Sequence, residues 1–197
     1  EAARTALRLA DLKQAGGDLE GVERALVAGL NASPTSPQLR QRLGAIYAER
    51  DDKIGLARLA ALEARGVEDA QLKKQLLVKA GETLRDEGAF KDAADAFEHV
   101  LAVDPLDRDV LFSFMDACAN TSQHARAIAA VDRAIDHDPA DDDAWLYFSR
   151  AVLREAVGES DLALDDLEQA FDQSGGGYHT ELQAHLEGAL ARALREP

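Results

Sequence analysis

Apolar residues recur along this chain at i, i+3, i+4 and i+7 in runs of about a dozen residues, broken by short clusters of Gly, Asp, Ser and Pro. Ala3, Ala6, Leu7 and Ala10 open the series, Gly16, Gly17 and Asp18 interrupt it, and Val22, Ala25, Leu26, Gly29 and Leu30 resume it. These predict two helices over residues 1 to 33, the second ending at Ser33-Pro34 because proline disfavours helical geometry in the residue before it. Ser36-Pro37 then reads as an N-cap followed by proline at the first helical position. Leu39, Leu43, Gly44 and Tyr47 form the next stripe, Asp51-Asp52 a turn, and Ile54, Ala57, Ala61 and Ala64 a helix that Gly66 can cap.

From Leu77 the pattern becomes periodic. Moving 34 residues on, Leu77, Ala80, Gly81 and Leu84 fall on Leu111, Phe114, Met115 and Cys118, while Ala93, Phe97, Val100 and Leu101 fall on Ala127, Val131, Ala134 and Ile135. Asp104-Pro105 falls on Asp138-Pro139. A fixed period of this length predicts stacked helical pairs, none of which can bury its apolar face alone. The expected units are 3–34, 37–68, 74–105, 108–139 and 142–174. Leu43 lies 37 residues before Ala80, which places three extra residues in the turns near Ile54 and at Gly66 to Asp69. In the fifth unit Trp145, Phe148, Ser149 and Val152 continue the inward stripe, and a shift of two residues at Ala163, Leu167, Ala170 and Phe171 predicts a longer turn around Val157 to Ser160. Thr180 with Gln183 forms a capping box, so 180–195 is expected to be a helix closing the end of the stack, with Glu181, Glu187, Arg192 and Arg195 off its apolar stripe.

Composition narrows the functional classes. With 22 Lys and Arg against 37 Asp and Glu, the net charge of -15 disfavours nucleic acid and anionic membrane surfaces, whose recognition rests on Lys and Arg. An apolar fraction of 46% with 5% aromatic residues fits an alanine-rich helical protein. One cysteine, Cys118, makes an internal disulfide impossible, and no apolar run reaches the length of a membrane span. The chain starts at Glu1, not at a methionine, as a processed or trimmed piece would, which leaves a leader, lipid anchor or neighbouring domain open. A cytoplasmic location is the expectation, with a periplasmic or membrane-anchored one as the alternative.

In AGETLRDEGAFKDAADAFEHVLAVDP, Gly81, Leu84, Gly88, Phe90, Ala93, Phe97, Val100 and Pro105 stand where the tetratricopeptide repeat family has its signature, so the chain resembles that family. Trp145 matches the family's leading tryptophan, and Leu43-Gly44 with Tyr47 its Leu-Gly then Tyr motif; the first unit departs, with Lys13 where an aromatic is expected. The resemblance implies an all-α, right-handed solenoid of helical hairpins whose concave face, lined by the first helix of each pair, holds a partner's peptide or helix. On the faces left over from packing stand Gln41, Arg42, Lys79, Glu82, Asp109, Phe112, Asp116, Asn120, Tyr147, Arg150 and Arg154, the expected binding groove. Phe112 and Tyr147 would be its apolar anchors, and Tyr147 beside Arg150 and Arg154 suits an acidic or aromatic-bearing peptide. The carboxylate clamp by which some members of the family hold chaperone tails is absent, since Gln41, Ala45, Lys79, Gln75 or Asp109, and Ser113 occupy its places.

No enzymatic activity, metal or cofactor is expected. The acidic run Asp136 to Asp143 lacks a calcium loop's sixth-position glycine and twelfth-position glutamate, because Asp141 and Tyr147 stand there. His99, His124, His137, His179 and His185 are too dispersed for zinc, and no nucleophile triad or phosphate-binding glycine loop occurs. Two further readings are a scaffold that self-assembles through its terminal edges, with Leu7, Ala10 and Leu26 exposed at the first, and the repeat module of a larger enzyme or envelope or secretion assembly protein. Ala93 is the small residue at which two helices of a pair approach, so Ala93→Leu is expected to lower stability by about 1 to 3 kcal/mol in a denaturant titration.

Overall fold

The computed structural model describes residues 1–137 and 144–173. The expected helix over 180–195 and most of the acidic run from Asp136 to Asp143 lie outside them. Among the described residues the regular structure is all helical: α1 (Ala2–Ala15), α2 (Leu19–Ala32), α3 (Pro37–Glu49), α4 (Lys53–Arg65), α5 (Ala70–Asp86), α6 (Phe90–Leu101), α7 (Arg108–Asn120), α8 (His124–His137), α9 (Ala144–Val157) and α10 (Ser160–Gln173). The chain divides into two compact units, Glu1–Ala96 and Phe97–Pro197, with the division inside α6.

Each helical pair is closed by the same device. A residue in the left-handed region follows the first helix: Gly17 (φ 74°), Asp51 (φ 52°), Gly88 (φ 76°), Ser122 (φ 56°) and Gly158 (φ 83°). The next residue then returns its N–H to a carbonyl in the last turn of that helix. Asp18 donates to Lys13, Asp52 to Tyr47, Ala89 to Leu84, Gln123 to Cys118 and Glu159 to Arg154, at 2.7 to 3.0 Å. This hydrogen bond across a left-handed residue satisfies a carbonyl orphaned by the helix end and reverses the chain within two or three residues. Asp18 and Asp52 also cap the following helices, accepting from the backbone N–H of Gly21 and Gly55 at 2.8 Å. Ser36 precedes Pro37 as expected but makes no side-chain cap bond.

In the first unit, Ala6 and Ala10 of α1 pack with Val22, Ala25, Leu26 and Leu30 of α2, Leu39, Leu43 and Tyr47 of α3, and Leu59 of α4. Ala10 and Leu26 are fully buried and Leu7 packs against this core, so they do not form the exposed edge expected of them; Leu9 and Leu12 stand outward instead. The reason is that α1 and α2 share one core with α3. A Cβ on Gly29 would collide with the Ala6 methyl and crowd Leu39, so its bare backbone permits that approach. α4 packs on α5, where Leu77, Ala80, Gly81 and Leu84 are buried. Lys53 to Glu87 (2.9 Å) and Arg58 to Asp92 (2.6 Å) tie residues one period apart, though exposed pairs of this kind contribute about 0.2 to 1 kcal/mol each.

The three extra residues do not sit in turns. The α3–α4 turn is as short as the others, and α5 runs for 17 residues where α3 and α7 have 13, so the insertion is absorbed as added helix after the Asp69 cap. Continuing hydrogen bonds into a helix costs less than ordering a longer loop.

In the second unit, Phe97, Val100 and Leu101 of α6 are buried, as are Phe114, Ala117 and Cys118 of α7 and Ala127, Val131 and Ala134 of α8. α9 packs against α8 and α10. Here the predicted stripe is rotated. Val152, expected inward, is exposed and Leu146, expected on the outer face, is buried, while Tyr147, Phe148 and Ala151 meet Ala163, Leu167 and Ala170 of α10. The turn after α9 is no longer than the rest, because Gly158 and Glu159 alone separate the two helices.

The left-handed turns predict opposite effects of glycine and alanine. Ser122→Gly should raise stability by about 0.5 kcal/mol, and Gly88→Ala should lower it by about 1 kcal/mol, both read as shifts of the urea midpoint.

Candidate interaction surfaces

Within the first unit the residues expected to recognise a partner fall into two groups. Gln41, Lys79 and Glu82 are exposed. Arg42 is tied down: its guanidinium donates at 2.6 Å to Asp11 Oδ1 and to Gln14 Oε1, holding α3 to α1. A separate cleft of about 500 Å³ lies among α2, α4 and α6, with Leu30, Leu43, Tyr47 and Leu84 in its wall and Val27 and Leu62 closer to solvent. Within its charged lining Asp92 pairs with Arg58, and Glu23 pairs with Arg50. Burial, with the neighbouring carboxylates Glu23 and Asp52, raises the Tyr47 hydroxyl above its ordinary pKa. This cleft shares no residue with the expected groove and was not foreseen.

In the second unit Phe112 stands 62% exposed on α7. Asp109, one turn before it, and Asp116, one turn after, are exposed and form no ion pair among the described residues; Asn120 Nδ2 donates to the Asp116 carbonyl and to its Oδ1. An apolar ring between unneutralised carboxylates is the resulting pattern.

Tyr147, Arg150 and Arg154 are placed differently from that expectation. Tyr147 is half-buried against Ala151, Ala163 and Leu167 and carries the Arg150 guanidinium 5.4 Å from its ring centre. Arg150 donates to Asp132 Oδ1 at 2.6 Å and to both oxygens of Asp166, at 2.6 and 3.0 Å, and Arg154 reaches Asp166 Oδ2 at 2.7 Å. Side-chain exposure is 15% for Arg150, 16% for Arg154 and 4% for Asp166. Burial works against the Arg150 charge, but the hydrogen bonds it donates to Asp166 and Asp132 outweigh it and hold its pKa above the usual guanidinium value. Both arginines are therefore spent on joining α8, α9 and α10. Asp166 could have been suspected from sequence, since it occupies the i+3 place of an otherwise apolar Ala163, Leu167, Ala170 stripe. Trp145 is likewise occupied, with Arg108 5.7 Å above its ring.

Among the described residues no cluster of His, Cys, Asp and Glu could hold a metal ion, and no helix is long and apolar enough to cross a membrane.

No family model matches the chain, and no curated protein matches its sequence. Solved structures do resemble it. The nearly identical TPR-like repeats of a kinesin light chain from Podospora anserina align over 91% of this chain and 99% of that one, with 14% identity and a TM-score of 0.51. Residues 41 to the end of MamA from Desulfovibrio magneticus RS-1 align over 79% and 84%, with 17% identity and a TM-score of 0.52. The TPR2AB domain of yeast Sti1, in a complex with pHSP90, aligns over 95% and 69%, with 19% identity and a TM-score of 0.50. The chain carries the tetratricopeptide-repeat fold.

The arginine network should dominate the energetics of the second unit. Asp166→Ala leaves two shielded guanidinium groups without their shared counter-charge and is expected to cost about 3 to 5 kcal/mol, whereas Asp109→Ala and Asp116→Ala should stay within about 0.5 kcal/mol of wild type in the same titration.

Proposed function

We propose that this chain is a non-catalytic protein-interaction module that holds a peptide or helix of a partner protein on the exposed faces of its first helices. The observation that carries this reading is Phe112. A large aromatic side chain in water contributes little to folding and is suited to anchor a partner, because burying it on binding removes its apolar surface from solvent. The fold supports the same reading, since the Sti1 structure is a complex with another protein.

The chemistry of the face favours a partner of definite charge. With Arg150 and Arg154 engaged by Asp132 and Asp166, the basis for an acidic peptide is removed, and what remains around Phe112 is Asp109 and Asp116. A segment carrying an apolar side chain flanked by Lys or Arg complements this face, and the overall charge of -15 steers it inward. Lys79 and Glu82 on α5 and Gln41 on α3 are the corresponding polar selectors on the first unit. Tyr147 is half-buried in the packing of α9 on α10 and is not itself an anchor.

Selection of a random peptide library against the whole chain tests this. Enriched sequences should pair an apolar residue with flanking Lys or Arg, and Phe112→Ala should weaken them at least about tenfold, as expected of an interface anchor, without shifting the melting temperature. Tyr147→Ala should lower the melting temperature. Enrichment that survives Phe112→Ala, or an absence of enrichment, overturns the proposal.

A further inference from the structure

In a chain with 37 acidic and 22 basic residues, the outer face of α1 is an exception. Arg4, Arg8 and Leu12 stand one turn apart on a single row, and Thr5 and Leu9 form the row beside it. All five are exposed, Leu12 by 72% and Leu9 by 45%. Neither arginine pairs with a carboxylate among the described residues, whereas the other charges of this helix do: Lys13 with Asp18 and Asp11 with Arg42, leaving Glu1 at the start. The helix thus turns an apolar and basic face to solvent, while its opposite side is committed to the core through Ala3, Ala6, Leu7 and Ala10.

The last described helix, α10, has the converse face. Asp161, Asp165, Glu168 and Asp172 follow one another at i, i+4, i+7 and i+11, all exposed, and none forms an ion pair among the described residues. Leu162, 46% exposed, lies beside them. Like charges at these spacings repel, which destabilises a helix by a few tenths of a kcal/mol per pair until a cation neutralises them. Asp161 and Asp165 are separated by the same single turn as Arg4 and Arg8, so the two rows share a pitch and can lie against one another.

We infer that the α1 face docks onto the α10 face of a second copy of this chain, with Arg4 and Arg8 against the carboxylate row and Leu9 and Leu12 against Leu162. The occupant follows from local complementarity: the chain itself supplies an acidic, leucine-bearing helix whose carboxylates and Leu162 match the arginines and leucines of α1. The contact is heterologous, so each docking leaves one α1 and one α10 face free and further copies can add. One helix on one helix is a small interface, and the association should be weak and strongly dependent on salt.

Sedimentation equilibrium of the whole chain decides this. Wild type should show a weight-average mass rising with concentration toward roughly millimolar protein in about 0.01 M salt, and the rise should vanish in about 1 M salt, where the screening length falls from about 30 to about 3 Å. The variants Arg4→Glu/Arg8→Glu and Asp161→Lys/Asp165→Lys should each keep the helical circular dichroism of wild type and each sediment as one chain. An equimolar mixture of the two should associate again, because each supplies the face complementary to the other's altered one. A wild type that stays at one-chain mass, a self-association that either variant retains, or a mixture that fails to associate from two folded variants overturns the inference; retention by the α10 variant alone would assign α1 to a symmetric contact with itself. Peptide binding at Phe112 shares no residue with this surface and is read separately.

Discussion

The left-handed residue after each first helix is the constraint on which the rest of this structure depends. A helix ending in water exposes carbonyls that must find donors, and an L-residue strongly resists the conformation that brings the next N–H back to them. Glycine removes that resistance at positions 17, 88 and 158, and Asp51 and Ser122 accept it. Once the chain has reversed through this short turn, the two helices can lie side by side, and the small residues Ala80, Gly81 and Ala93 are buried. The period of the sequence is the period of this turn.

Between turns, the chain treats charge in two distinct ways. Exposed pairs such as Lys53 with Glu87 are weak and interchangeable. The group of Arg150, Arg154 and Asp166 is different, because its charges are largely shielded from water, so that leaving one partner unmatched costs far more than the pair contributes. The exposed face of α7 around Phe112, by contrast, carries Asp109 and Asp116, which form no ion pair among the described residues.

Such a division suits a repeat protein. Each hairpin uses one side of its helices for stacking and has the other available, so function can change residue by residue without disturbing the core. The faces of α1, α7 and α10 illustrate the range: basic and apolar, aromatic between acids, and acidic beside a leucine.

Much of the fold was legible because it is local. Apolar spacing, the Ser33-Pro34 and Ser36-Pro37 punctuation and the 34-residue recurrence each act over a few residues, so the helices and hairpins follow from them. Phe112 was legible as well, an aromatic out of register with the stripe on its own helix. The extra residues in α5, the rotation of α9 and the burial of Leu7, Ala10 and Leu26 were not, because each depends on which neighbouring helix competes for a face. Asp166 shows the limit most clearly. Its place in an apolar stripe marks it as out of pattern, but only the packing of α9 on α10 makes it the shared counter-ion of two arginines. The sequence by itself determined where the chain is helical and where it must turn, since those are short-range preferences of backbone and side chain. Tertiary structure alone decided which charges are spent inside the protein and which remain for others, because ion pairing depends on distances between residues that sequence spacing does not set.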